Sequence, residues 1–171
     1  MSLKDLRHQY NDMAREVVSW TDGLGKPLDV EIAQTVIFLN LLGVKTVQSC
    51  HGHVEEKGVA YPWIMFHATE PADPEWYKDE ALREVASAEV GVLYSKCLDL
   101  LEEFYGQRQV HYRIMLGFSQ IGYGFILQSN GVAALSVDNK EECGTMYPLF
   151  VAEMAHFTDF LRQKYFLSTT E

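Results

Sequence analysis

Apolar residues recur every three or four positions through the first segment, Leu3 to Trp20, where Leu6, Tyr10, Met13 and Val17 share one face. That spacing predicts an amphipathic helix. Two glycines and a proline between Thr21 and Pro27 end it. A second helix is predicted to start at Asp29, whose side chain can accept from the orphan backbone donors as N-cap. Glu31 suits the positive end of its dipole, and Ile32, Val36, Leu39 and Leu42 form its apolar stripe. Gly43 can then take the left-handed cap conformation.

The pattern next turns to strands. Val44 to Ser49 is short and partly β-branched, which predicts a strand. A loop from Cys50 to Tyr61 follows. The run Pro62 to Ala68 is apolar on both alternating faces, as an interior strand covered on both sides would be. Pro71, Asp73 and Pro74 mark a polar loop into the longest predicted helix, Asp79 to Tyr105, striped by Leu82, Ala86, Leu93, Cys97, Leu100 and Phe104. Val110 to Leu116 alternates as a strand, with Ile121 to Gln128 as its hairpin partner. Gly117, Gly122 and Gly124 then read as hairpin and bulge glycines. Asn130-Gly131 predicts a turn into a further strand, Val132 to Val137. Asp138 with Glu141 would cap one helical turn ended by Gly144, and a last helix runs from Thr145 to about Tyr165, with Pro148 in its first turn. Together these elements predict a single α+β domain spanning 1–171. Its sheet is expected to be mostly antiparallel, or mixed, with helices packed on one face.

Composition narrows the function classes. The chain has 171 residues, and its 24 acidic against 14 basic side chains give a formal net charge of −10. Such a surface repels phosphate backbones and anionic membranes at long range, so nucleic acid is not the expected partner. No apolar run approaches the roughly 20 residues of a membrane span. The polar start, Met1 to Tyr10, does not read as a signal peptide. Three scattered cysteines make no disulfide framework, and the expected compartment is a reducing cytoplasm.

Candidate chemistry concentrates in Ser49-Cys50-His51-Gly52-His53, where the first predicted strand meets its loop. A stiff element aims groups placed at its end, and water reaches them there. Three readings of the cluster compete. In the first, Cys50 and His53 hold a borderline-soft cation such as zinc, with His67, Glu55 or Glu56 as third ligand. In the second, a nearby imidazolium favours the Cys50 thiolate, making Cys50 a catalytic nucleophile and His53 its base. In the third, Cys50 packs under the loop and the histidines anchor it through hydrogen bonds. Ser49, His51, Gly52, Trp63 and His67 are the expected ligand-binding positions around it. Tyr61, Trp63 and Trp76 are candidate pocket walls. Cys97 and Cys143 belong to core stripes. His111 and Arg113 share a strand face suited to an anion or to solvent.

The run Leu28-Asp29, Ile32, Thr35-Val36, Leu39-Asn40, Thr46, Ser49-Cys50, Gly52-His53, Pro62-Trp63 and Phe66 resembles a bacterial family of small proteins with an S-C-x-G-H … P-W core. That resemblance implies no particular activity. A more distant similarity, from Asp29 to Phe66, is to the tRNA wybutosine-synthesis methyltransferase family. There too an acidic helix start and an asparagine near the helix end lead to a T-x-x-S-C-x-G strand end. His53 stands where that family has arginine and His51 where it has serine. The similarity implies a ligand-facing loop and, further out, nucleotide- or RNA-modification chemistry.

The reading that joins these features is a cytoplasmic α+β protein with a small-ligand or metal site at residues 49–53, enzymatic through Cys50 and His53. The competing class is a non-enzymatic homo-oligomer, whose interface would use the last helix's stripe of Met146, Phe150, Met154, Phe157 and Leu161.

Overall fold

A computed structural model describes residues 1–21, 25–53, 61–69, 73–106, 108–136 and 139–167. Four helices and a four-stranded sheet make an α+β fold. The chain runs α1 (Leu3–Val18), α2 (Val30–Leu41), β1 (Gln48–Cys50), β2 (Trp63–His67), α3 (Glu80–Tyr105), β3 (Leu116–Ile121), β4 (Gly124–Ser129) and α4 (Lys140–Leu167). Strand order is β1-β2-β4-β3, and every pairing is antiparallel.

Register explains which face is covered. Ser49, Ile64, Leu127 and Phe118 are paired across the sheet and share one face, with Phe66 opposite Phe125 in the next row. Ile64 and Phe66 are fully buried, and the Phe66 and Phe125 rings stack at 4.8 Å. This face joins one core with Leu6 of α1, Phe38 of α2, Phe104 of α3 and Phe157 of α4. On the opposite face Trp63, Met65 and His67 are only half-buried, so β2 is covered on one side rather than on both as expected.

The helix boundaries follow from their caps. Ser2 and Asp5 form a reciprocal capping box at the start of α1, and Asp79 accepts from Ala81 and Leu82 at the start of α3. The second half of the chain departs from expectation in three places. Residues 110–115 form a turn, with Ile114 donating to His111 O, rather than a strand. The alternation through Ile114 and Leu116 continues to Phe118, and the ladder begins only at Leu116. The hairpin closes at Gly122-Tyr123, where Gly122 takes a φ of +49° as the first residue of a two-residue turn. The expected strand from Val132 is instead a 3-10 turn, Asn130–Ala134. Both edges of β4 are already taken by β2 and β3, so the chain leaving it has no ladder beside it. The Gly131 amide donates to Arg113 O, and a Cβ at Gly131 would lie 2.5 Å from that oxygen. Finally, α4 starts at Lys140, not Thr145. Asn139 accepts from the Glu142 amide, and the helix runs on through Gly144 and Pro148. Val137 and Asp138 lie outside the described residues.

The α4 stripe expected to serve either core or interface is buried in the chain's own core: Phe150, Met154, Phe157 and Leu161 are almost wholly inaccessible. Beside it, Glu153 is buried as well. It accepts from the Tyr105 hydroxyl at 2.9 Å and from Arg108 at 2.8 Å, and the same hydroxyl accepts from the Leu116 amide at 2.7 Å. One phenol thus ties α3, α4 and the start of β3. Burial pushes its own titration well above the ordinary tyrosine range, so it stays a donor. Tyr105→Phe leaves the Leu116 amide and one Glu153 oxygen without that partner, and should cost about 2–3 kcal/mol in denaturant unfolding. Tyr112→Phe, at an exposed site, should cost under about 0.5 kcal/mol. Equal losses in the two variants would contradict this account.

Candidate metal centre

The site is built by a helix that returns on itself as a strand. At 12 residues, α2 is about 18 Å long. The chain then runs back from Val44 to Cys50, a reach of up to about 20 Å, with the strand expected over Val44 to Ser49 formed only at Gln48–Cys50. These lengths match, so the end of β1 arrives beside the start of α2. The reversal is clamped. Gly43 has a φ of +77°, its amide donates to Asn40 O, and the Val44 amide donates to Leu39 O. The Asn40 side-chain amide donates to Val36 O and to Thr46 Oγ1, and its Oδ1 accepts from the Thr46 amide.

At the open end, Asp29 stands in the N-cap position of α2 but its side chain makes no cap bond. Its Oδ2 instead accepts from the His51 amide at 2.8 Å and lies 3.7 Å from His53 Nε2. The carboxylate, the Cys50 sulfur and a His53 ring nitrogen all lie within 4.8 Å of one another. Asp29 was expected only as a cap; the structure makes it the third member of the site. His67 is not that member. It sits four positions along β2 from Trp63, roughly 13 Å away, paired with Gly124, and its Nδ1 contacts Ala68 O. Glu55 and Glu56 lie outside the described residues.

The neighbours shape the loop. Gly52 is buried with a φ of +92°, and a Cβ there would meet three Tyr61 backbone atoms at 2.7–2.8 Å. No other residue type fits that turn without moving Tyr61. The Gly52 amide donates to Cys50 Sγ at 3.3 Å, and its carbonyl accepts from the Tyr147 hydroxyl of α4 at 3.1 Å. His51 contributes its backbone amide, while its ring stands edge-on to Tyr147 with centroids 6.0 Å apart. Ser49 points to the covered face, and its Oγ is buried with no hydrogen-bond partner among the described residues. Trp63 pairs with Cys50 across the ladder. With Trp20, Leu28 and Val47 it lines a cavity of about 590 Å³ that also contains Asp29, Cys50 and His53. Trp76 is absent from this wall and packs instead on Tyr123.

Electrostatics separates the chemical readings. Burial pushes the Cys50 thiol above its ordinary range; the Gly52 amide opposes the rise and the Asp29 carboxylate adds to it. A carboxylate beside the sulfur disfavours a free thiolate, the reverse of what an activated nucleophile needs. The same carboxylate, sulfur and imidazole form a mixed hard and soft donor set that suits a cation. Tetrahedral zinc, with legs of about 2.0–2.3 Å, places its ligand atoms about 3.3–3.8 Å apart. The Asp29–His53 separation of 3.7 Å already meets that span, and no separation in the set exceeds it by more than about 1 Å.

Other candidates are placed elsewhere. Cys97 and Cys143 are buried in the core, as the stripes implied. His111 and Arg113 lie on the turn before β3, not on a strand face; Arg113 pairs with Glu142 at 2.6 Å. Tyr147 was missed because no sequence pattern links it to residue 52.

In the metal-free chain, alkylation of Cys50 should accelerate with pH around a midpoint above that of an ordinary free thiol. Asp29→Asn removes a negative charge that opposes thiolate formation, so the midpoint should fall, while burial keeps it above the ordinary value. Buried Cys97, pushed up to about 12 by burial, supplies the unreactive background. A midpoint at or below the ordinary thiol value, or one unmoved by Asp29→Asn, would contradict this electrostatic picture.

Comparison with protein-family models, with curated proteins and with solved structures gives no match to this chain.

Proposed function

We propose that the protein is a zinc-dependent small-ligand protein, in which Asp29, Cys50 and His53 hold the ion at the wall of the 590 Å³ cavity. The observation that carries this reading is the convergence of three different donor atoms from two ends of one helix–strand unit. Three protein ligands, the number found among the described residues, would leave a coordination position for water or a ligand group, the arrangement used where zinc is chemically active. An ion held there supplies Lewis acidity, enough to polarise a carbonyl or bring a bound water toward neutral pKa.

The chain's own residues have distinct tasks. The His51 amide holds the Asp29 carboxylate in place, and the Gly52 amide stabilises a sulfur anion. Tyr147, kept protonated by burial and by nearby negative groups, holds the loop through the Gly52 carbonyl. Trp20 and Trp63 give the cavity an apolar wall beside the donor set. The raised Cys50 thiol weighs against thiol catalysis, and an ion bound there would have to displace the proton that burial and Asp29 retain, so zinc uptake should strengthen as pH rises.

Protein purified without chelator from zinc-supplemented growth should carry about one zinc per chain by elemental analysis. Cys50→Ala and Asp29→Ala should each reduce that to below about a tenth, while Cys97→Ala leaves it unchanged. Zinc removal by a chelator should lower thermal stability in the native chain only. A ratio near zero, or full zinc retention in Cys50→Ala, would overturn the reading.

A further inference from the structure

We infer that the ligand of this site is a molecule with a planar, apolar body and a single metal-binding head of at most one negative charge. The inference rests on the zinc reading and adds what the rest of the cavity would recognise. Two half-buried tryptophans, Trp20 and Trp63, line the cavity that contains the donor set, together with Leu28 and Val47. Indole faces offer large apolar contact at low entropic cost and favour flat partners. A cavity of this size encloses a drug-sized molecule rather than a polymer.

Charge sets the head group. Among the described lining residues a single cation, Lys26, is present, whereas phosphate-rich ligands are ordinarily held by several cations or by a glycine-rich helix start. The start of α2 carries Asp29 and Glu31, which occupy the positive end of its dipole with their own negative charge. Asp29 and a metal-bound Cys50 thiolate would balance a divalent ion, so among the described lining residues only the single charge of Lys26 remains to attract an anion, which matches a singly charged head and not a polyanion. The chain's net charge of −10 points the same way. An aromatic carboxylate, hydroxamate, ester or amide fits these constraints, and a nucleoside polyphosphate does not.

Two hydroxamates that share one metal-binding head separate the contributions. Benzohydroxamate and acetohydroxamate are titrated into the zinc-loaded full chain, with calorimetry and tryptophan fluorescence as readouts and pyrophosphate as the polyanion probe. Benzohydroxamate should bind at least about tenfold tighter than acetohydroxamate and quench indole emission, and pyrophosphate should bind more weakly than either. Trp63→Leu should remove most of the benzohydroxamate advantage. Trp20→Leu, outside the sheet, provides an independent variant should Trp63→Leu not fold. Zinc content is measured in every sample. A chain that takes up no zinc overturns this inference together with the metal reading. A zinc-loaded chain that binds both hydroxamates alike, or pyrophosphate more tightly, overturns this inference alone.

Discussion

The Asp29 carboxylate lies where two different demands meet. As the residue before α2 it would ordinarily satisfy that helix's orphan amides; instead it accepts from the backbone of His51, 22 positions later. That bond spans the open end of the helix–strand unit whose closed end is held by Gly43, Asn40 and Thr46. Equal lengths of helix and returning chain make the bond reachable. With it in place, Cys50 and His53 are delivered to the same carboxylate, and the cavity wall from Trp20 to Trp63 is completed around them. Losing the clamp at the closed end, Gly43, Asn40 and Thr46, would separate the donor atoms without touching any of them.

The remainder of the molecule serves as backing for this unit. The core formed by Ile64, Phe66, Phe125 and Leu127 with the helices fixes β2, and β2 fixes β1 through the one ladder β1 has among the described residues. From the other side α4 reaches the loop through Tyr147. A three-residue edge strand carrying a reactive cluster would be marginal alone. Here it is pinned at both of its ends and along one side.

Periodicity made the first half of the chain legible. The stripes of α1, α2 and α3 and the start of α3 near Asp79 follow from local rules, as does the α+β class. The second half was harder because neighbouring strands decide its outcome. Residues 110–116 alternate well enough for a strand, but two of their carbonyls are taken by the 130–131 turn. Val132 follows a good turn signal and still finds no free edge on β4, the strand it leaves. The region 140–167 contains Gly144 and Pro148, two residues that suggest a helix boundary, yet Asn139 starts the helix before them. The cluster at Ser49–His53 was visible as a concentration of donors at a strand end. Its third member was not, because Asp29 already had a sufficient local explanation as a cap. The clue was topological: a short reversal after a helix returns the chain to the level of the helix start. His67 failed for the related reason that strand position, not chemical type, determines which histidine arrives.

X-ray absorption at the zinc edge of the loaded protein tests the convergence of Asp29, Cys50 and His53 most directly. The account predicts one sulfur scatterer near 2.3 Å with nitrogen and oxygen scatterers near 2.0–2.2 Å, and loss of the sulfur shell in Cys50→Ser. A first shell containing no sulfur, or one unchanged by that substitution, would contradict it.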